Sequence, residues 1–192
     1  MNGQSSVPES FASFKNLLLT GPPGCGKTTI LERVVEHLGD YRLAGFLTLE
    51  LREHGQRVGF EAVGLGGQRV ILAHVQHRSL VSVGRYGVEP DRLVPLIEED
   101  LNRPLGAVDA YLIDEIGKME CHCPQFIEAA SRLLEGSVPL VATNALRGSG
   151  FIAEVKNRPD VEIVDVTQAN RQTLPQQIAA WVKQHTDQAN TP

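Results

Sequence analysis

Residues Gly21 to Thr28 read GPPGCGKT, a match to G-x-x-x-x-G-K-[ST]. The stretch dictates its own surroundings. Its glycines let the backbone curl until successive N–H groups point inward as an anion nest. Lys27 supplies a mobile positive charge for the outer phosphate oxygens, and the Thr28 hydroxyl is placed to ligate Mg²⁺. Such a loop works only between a strand and a helix, and both are legible. NLLLT (Asn16–Thr20) is a short continuous apolar run, read as a buried strand. Residues 27–38 carry Ile30, Leu31, Val34, Val35 and Leu38 at helical spacing. The positive end of that helix adds to the pull on phosphate.

The rest of the chain alternates element types. GFLTLELR (Gly45–Arg52) is strictly alternating, and RVGFEAV and RVILAHV follow after Gly-containing turns, so the three read as a small antiparallel meander. Glu89–Leu101 reads as a helix with Pro90 at its first position and a kink at Pro95. AYLIDE (Ala110–Glu115), PLVAT (Pro139–Thr143) and VEIVDV (Val161–Val166) are further buried strands. Helices are expected at 124–134, Ser149–Asn157 and Asn170–Gln184. Strands alternating with helices imply an α/β, three-layer sandwich: a mostly parallel sheet covered on both faces, with the antiparallel meander added.

A chain of 192 residues suits one domain, placed at 15–184, with flexible termini at 1–14 and 185–192. Hydrophobic residues at 42% and charged residues at 21% exclude wholesale disorder. A net charge of −5 argues against a nucleic-acid or anionic-membrane partner, and 6 Phe, 3 Tyr and 1 Trp leave little for a base-stacking platform. No apolar run reaches the ~18 residues of a membrane span. MNGQSSVPES lacks the basic start and apolar stretch of a secretory signal. Three cysteines make no disulfide framework, so the expected compartment is the reducing cytoplasm.

Asp114 and Glu115 end the AYLIDE strand. A carboxylate at the end of a strand neighbouring a phosphate loop completes a Mg²⁺ site, a role that suits Asp114. Glu115, one residue on, can orient or deprotonate a water for attack on the γ-phosphorus. Thr48, Glu50 and Arg52 share one strand face, with Arg57 just after the turn. They read either as a solvated edge or as groups that neutralise charge on the γ-phosphate. Asn144, at the end of PLVAT, reads as a γ-phosphate or water contact, or as a turn residue. Asn170 and Arg171 follow the last strand, where they would border the base, with Asn170 alternatively capping the last helix. Cys121-His122-Cys123 lacks the matching ligands of a zinc site, and His74 and His77 lack supporting ligands.

GPPGCGKTT, GFLTLELREHGQRVGF, VGRYGV, IDEIGKME, FIAEVKNRPDV and the Asn170-Arg171 pair together resemble the small P-loop nucleoside-triphosphatases of the cancer-related nucleoside-triphosphatase type. The resemblance covers Asn16 to about Lys183. It implies a P-loop NTPase fold and Mg²⁺-dependent hydrolysis of ATP, GTP and other nucleoside triphosphates to the diphosphate and phosphate. It implies a phosphate loop of Gly21, Pro22, Pro23, Gly24, Cys25, Gly26, Lys27 and Thr28, continued by Thr29. A second nucleotide-contacting segment is centred on Ile113–Met119. With the strand leading into it, that segment supplies Tyr111, Leu112, Ile113, Asp114, Glu115, Ile116, Gly117 and Lys118. Arg171 is expected at the nucleotide, Lys27 and Glu115 in catalysis, and Thr28 and Asp114 on the metal. Ala145–Gly150 departs from the family pattern.

Two other functions fit a phosphate loop. A small nucleoside or nucleotide kinase would need an acceptor pocket and a lid, for which 145–158, with Arg147, Lys156 and Arg158, is the only candidate. A non-enzymatic, nucleotide-dependent switch that binds a partner protein is the other; its guanine-specific form would carry an Asn-Lys-x-Asp base reader, which TNAL at 143–146 is not, so base selectivity is expected to be low.

Overall fold

The apolar runs assemble into one nine-stranded sheet in a computed structural model that describes residues 7–104 and 106–189. Five strands form its parallel part: β1 (Asn16–Thr20), β2 (Leu43–Glu53), β7 (Ala110–Ile116), β8 (Leu140–Asn144) and β9 (Val161–Asp165), in spatial order β2-β7-β8-β1-β9. Beyond β2 the sheet continues antiparallel through β3 (Gln56–Gly64), β4 (Arg69–His74), β6 (Tyr86–Val88) and β5 (Val81–Val83).

Side chains alternate across the sheet and build a core on each face. Leu17 and Leu19 of β1 join Ile30, Leu31 and Val34 of α1 (Lys27–His37) and Trp181 of α5 (Leu174–Ala189). Leu18 joins the opposite core, with Phe46 and with Phe126, Ala129 and Ala130 of α3 (Pro124–Glu135). These are the three layers read from the sequence.

The meander is not a separate addition. β2 belongs to both halves: Leu43–Phe46 pair in parallel with Ala110–Ile113, and Phe46–Glu53 pair antiparallel with β3. Gly45 makes this possible. Its φ is +117°, and a Cβ there would lie 1.8 Å from the Leu112 carbonyl oxygen. Gly45→Ala is expected to lower the free energy of unfolding by about 3 kcal/mol or more, through strain and a backbone clash that no rotamer relieves. Urea titration followed by circular dichroism measures it, and an unchanged midpoint would contradict the close approach.

Local differences from the sequence reading have simple causes. The β5–β6 hairpin carries no strand signal in the sequence, because three residues per strand are too few to show a period. The stretch around Pro95 is helical, but in three pieces: a 3₁₀ turn Pro90–Leu93, one α turn α2 (Val94–Leu96) and a π turn Ile97–Leu101. A proline removes one ladder donor and breaks the regular pattern. α4 is Phe151–Lys156, and α5 starts four residues later than expected because Thr167–Thr173 are held in turns by Asn170. The end segments, 1–14 and 185–192, lie partly outside the described residues. Within the first, Phe11 is buried and its carbonyl accepts a hydrogen bond from Trp181 Nε1 at 3.0 Å. Among the described residues no helix is long and apolar enough to cross a membrane, and Cys25, Cys121 and Cys123 are free thiols.

Candidate active site

Parallel strands all end on one edge of a sheet, and their following loops form its crevice. Here β1, β7 and β8 end together, so the phosphate loop, the Asp114-Glu115 pair and the loop after Asn144 meet. The loop turns through Gly24 (φ +75°) and Gly26 (φ +105°), a left-handed region costly to side-chain-bearing residues. α1 then opens without a side-chain cap, leaving its first-turn amides available to an anion. Lys27 Nζ donates to the Gly21 carbonyl at 3.1 Å, so its charge lies back across the loop.

A cleft of about 720 Å³ runs along this edge. One side is the loop: Gly21, Pro23, Gly24, Gly26, Lys27, Thr28 and Thr29. The other is the β2–β3 arm, contributing Thr48, Leu49, Glu50, Arg57 and Phe60. Asp114 and Glu115 lie on it, as do Ala145, Leu146 and Arg147.

Asp114 is 2% exposed. Its carboxylate accepts hydrogen bonds from the Thr143 hydroxyl at 2.8 Å, the Thr28 hydroxyl and the Thr48 amide. Burial still pushes its pKa up, against those bonds and the Lys27 charge. Glu115 is pushed up too, first by burial and then by the neighbouring Asp114 charge, with Lys27 opposing. Thr48 also donates its hydroxyl to the Asp114 carbonyl, joining β2 to β7 at the site.

A third acid lies behind the pair. Glu120 is 3% exposed. A Cβ at Gly117 would fall 2.9 Å from both Glu115 Cγ and Glu120 Oε2, so the glycine lets the two side chains approach. Burial, then the Glu115 charge, pushes the Glu120 pKa well above the ordinary value. The neighbouring Cys121 thiol is pushed up to about 12 by burial and by those acids, so it is no thiolate nucleophile. An acid whose folded-state pKa is raised stabilises the fold below its unfolded pKa and loses that contribution as pH rises. Glu120→Gln is therefore expected to raise the thermal midpoint at pH 8 by about 2–4 °C. The gain should vanish below about pH 4, where the unfolded chain also holds the proton. Calorimetry across that range checks the sign, and a lowered midpoint at pH 8 would contradict the burial cost.

The structure does not bring every expected nucleotide contact to the cleft. Tyr111, Leu112, Ile113 and Ile116 are buried in the sheet and do not line it. Strand residues upstream of a carboxyl end build core, which is the physical reason for this placement. Pro22 is exposed and Cys25 stands half-buried, its sulfur 2.8 Å from where a Gly21 Cβ would be, and neither lines the cleft. Gly117 is buried, and Lys118 lines a side chamber of about 180 Å³ that shares Thr48, Phe60, Glu115 and Ala145 with the cleft. Arg171 is exposed and outside the cleft. Asn144 is fully buried, and its Nδ2 donates to the Ile152 carbonyl at 3.2 Å, so it ties β8 to α4. Asn170 Oδ1 accepts from the Thr167 amide at 2.8 Å and its Nδ2 donates to the Asp165 carbonyl, so its side chain closes the turn after β9. Arg158 pairs with Asp160 at 2.8 Å.

Sequence reasoning missed Thr143 as the partner of Asp114, and Phe60 in the cleft. Thr143 had a signal: a hydroxyl closing an apolar strand at the level where the neighbouring strand ends in a carboxylate. Phe60 had none short of the strand register. Among the described residues no group of three His, Cys, Asp or Glu side chains is arranged to hold a metal ion.

The NTPase family model matches residues 16–179. The nucleoside-triphosphatase THEP1 of Natranaerobius thermophilus is 38% identical over 176 residues, covering 88% of this chain and 97% of that protein. The crystal structure of THEP1 from the hyperthermophile Aquifex aeolicus superposes with a TM-score of 0.77 at 30% identity, covering 85% of this chain and 96% of that one. The solution structure of a human cancer-related nucleoside triphosphatase gives 0.75 at 32% identity, covering 88% and 97%.

Proposed function

The chain belongs to the NTPase family, and from that premise we propose that it hydrolyses ATP, GTP and other nucleoside triphosphates to the diphosphate and phosphate, with Mg²⁺ and little base selectivity. One observation carries the reading: the phosphate loop, Lys27 and the Asp114-Glu115 pair border a single cleft. Residues 15–184 act as one unit in this reading, and three free thiols support a cytoplasmic setting.

Thr28 and Asp114 fit a divalent cation. The hydroxyl bonds directly to the carboxylate, whose burial leaves its charge under-compensated. One carboxylate, one hydroxyl, phosphate oxygens and waters are a usual set for Mg²⁺, which when bound neutralises charge on the β- and γ-oxygens. The chain's own groups do the rest. The loop amides and Lys27 hold the β- and γ-phosphoryl groups, so positioning and electrostatics supply most of the rate. Glu115 orients a water and takes its proton. The water oxygen bonds to the γ-phosphorus, the bond to the β–γ bridging oxygen breaks, and its electron pair leaves with the diphosphate. A raised pKa suits a general base.

Phosphate release from a panel of nucleoside triphosphates, with Mg²⁺ and with chelator, tests the proposal. Release from several bases that needs the metal supports it. No release from any would refute it. The side chamber beside Glu115 favours a second reading, a phosphotransferase whose acceptor alcohol occupies it. Phosphate release that stays negligible until an alcohol acceptor is supplied would favour that reading.

A further inference from the structure

We propose that Arg57 is the arginine that meets the γ-phosphoryl group in the transition state, supplied within the chain by the β2–β3 arm, with Glu50, Phe60 and Tyr86 as its positioning residues. The inference deepens the hydrolysis reading above and rests on it.

The strand register is the first support. β2 and β3 pair Glu50 with Phe60 and Leu51 with Gly59, then pass over Val58 and pair Arg52 with Arg57. Directly opposed residues share a face, and alternate residues of one strand do too. Thr48, Glu50, Arg52, Arg57 and Phe60 therefore lie on one face, the face from which the Thr48 hydroxyl donates to the Asp114 carbonyl. Arg57 is three residues from Phe60. In an unbroken strand that spacing would send it to the opposite face. The bulge at Val58 turns it back, so that Glu50, Arg57 and Phe60 line the same cleft as Lys27 and Glu115. Bulges beside active sites characteristically re-aim one side chain.

The anchoring is the second support. Arg57 Nη1 donates to Glu50 Oε1 at 2.7 Å and Nε donates to the Tyr86 hydroxyl at 3.0 Å. Its guanidinium carbon lies 5.1 Å from the centre of the Phe60 ring and 5.9 Å from that of Tyr86. Those two rings meet edge-on at 5.2 Å. Arg85 bonds the Arg57 carbonyl from the β5–β6 hairpin. The Arg57 side chain is 42% exposed, so burial does not fix it, and an exposed ion pair adds little to stability. Two of its five donors are engaged, leaving the others for phosphoryl oxygens. A planar cation held rigid at a cleft is worth most where charge develops during reaction. The other candidates lack this arrangement. Arg52 binds Glu50 and the Gly55 carbonyl outside the cleft. Arg147 lines the cleft, but among the described residues no hydrogen bond or ion pair anchors it. The segments GFLTLELREHGQRVGF and VGRYGV, which hold Glu50, Arg57, Phe60, Arg85 and Tyr86, thereby acquire one shared purpose.

The experiment compares wild type with Arg57→Ala, Arg57→Lys and Tyr86→Phe in steady-state phosphate release and equilibrium triphosphate binding, with Glu115→Gln as reference. For Arg57→Ala, kcat is expected to fall about 10²-fold with triphosphate affinity little changed. Arg57→Lys should recover little, because an ammonium lacks the planar fork. Added guanidinium ion should restore part of the turnover of Arg57→Ala and none of that of Glu115→Gln. Tyr86→Phe should lower kcat by a smaller factor without changing binding. An Arg57→Ala kcat within about twofold of wild type, or a loss confined to KM, would overturn the inference while leaving the hydrolysis reading intact. A wild type that releases no phosphate sinks both.

Discussion

Lys27→Ala is expected to lower turnover by about 10²–10³-fold and to weaken triphosphate binding. Lys27 is the one cation set within the phosphate loop, and its ammonium already spans the turn to the Gly21 carbonyl. The loop amides alone can still attract an anion, but they cannot follow charge that moves outward to the γ-oxygens as the bond breaks. Losing a preorganised charge of this kind costs about 10²–10³-fold in kcat, and the lost ground-state binding adds to the fall in kcat/KM. The substitution shortens a half-buried side chain at a helix start, so the fold should survive, and circular dichroism checks this. Single-turnover phosphate release and nucleotide titration give the two effects separately. Undiminished activity would remove the loop from the mechanism.

Glu115→Gln is expected to keep nucleotide binding and to lower kcat by about 10²–10⁴-fold. The amide retains shape and can still bond a water, but it cannot take the proton. The alternative base on the cleft is Glu50, and its environment disqualifies it. Hydrogen bonds from Arg57 and then Arg52 hold its carboxyl below the usual carboxylate range, so it has little tendency to accept a proton. Glu115 has the opposite bias, since burial and Asp114 raise its pKa. Normal hydrolysis by the glutamine variant, measured by the same phosphate assay, would show that another group aims the water.

The phosphate loop was legible because its chemistry needs particular residue types at adjacent positions, and Gly21, Lys27 and Thr28 therefore stand out in any order of reading. Asp114 and Glu115 were legible because an apolar strand ending in two acids is uncommon without a purpose. The buried strands announced themselves by length and continuity. What stayed hidden depends on contacts between distant segments. Thr143 bonds Asp114 across a strand pair, and 29 positions of chain separate them. Arg57 is open to two readings in the sequence, and the bulge that brings it to the cleft is hidden there, because the two-residue pattern that reveals a strand says nothing about where its alternation is interrupted. Tyr111, Leu112 and Ile113 show the converse: next to Asp114 in sequence, they are buried in the sheet and do not line the cleft.

β2 is shared by the parallel core and the antiparallel arm, and that makes it a ruler. Phe46 is the last residue it pairs with β7, and Glu50 comes four residues later, about 13 Å along an extended chain. Between those two points the strand is tied to β7 by the Thr48 bonds to Asp114, so this short interval sets the reach from the acid pair to the arm's cationic tip. Drift in most loops of such a protein changes only upkeep, whereas gaining or losing a single residue within this interval would misalign the two halves and leave a molecule that holds fuel without burning it.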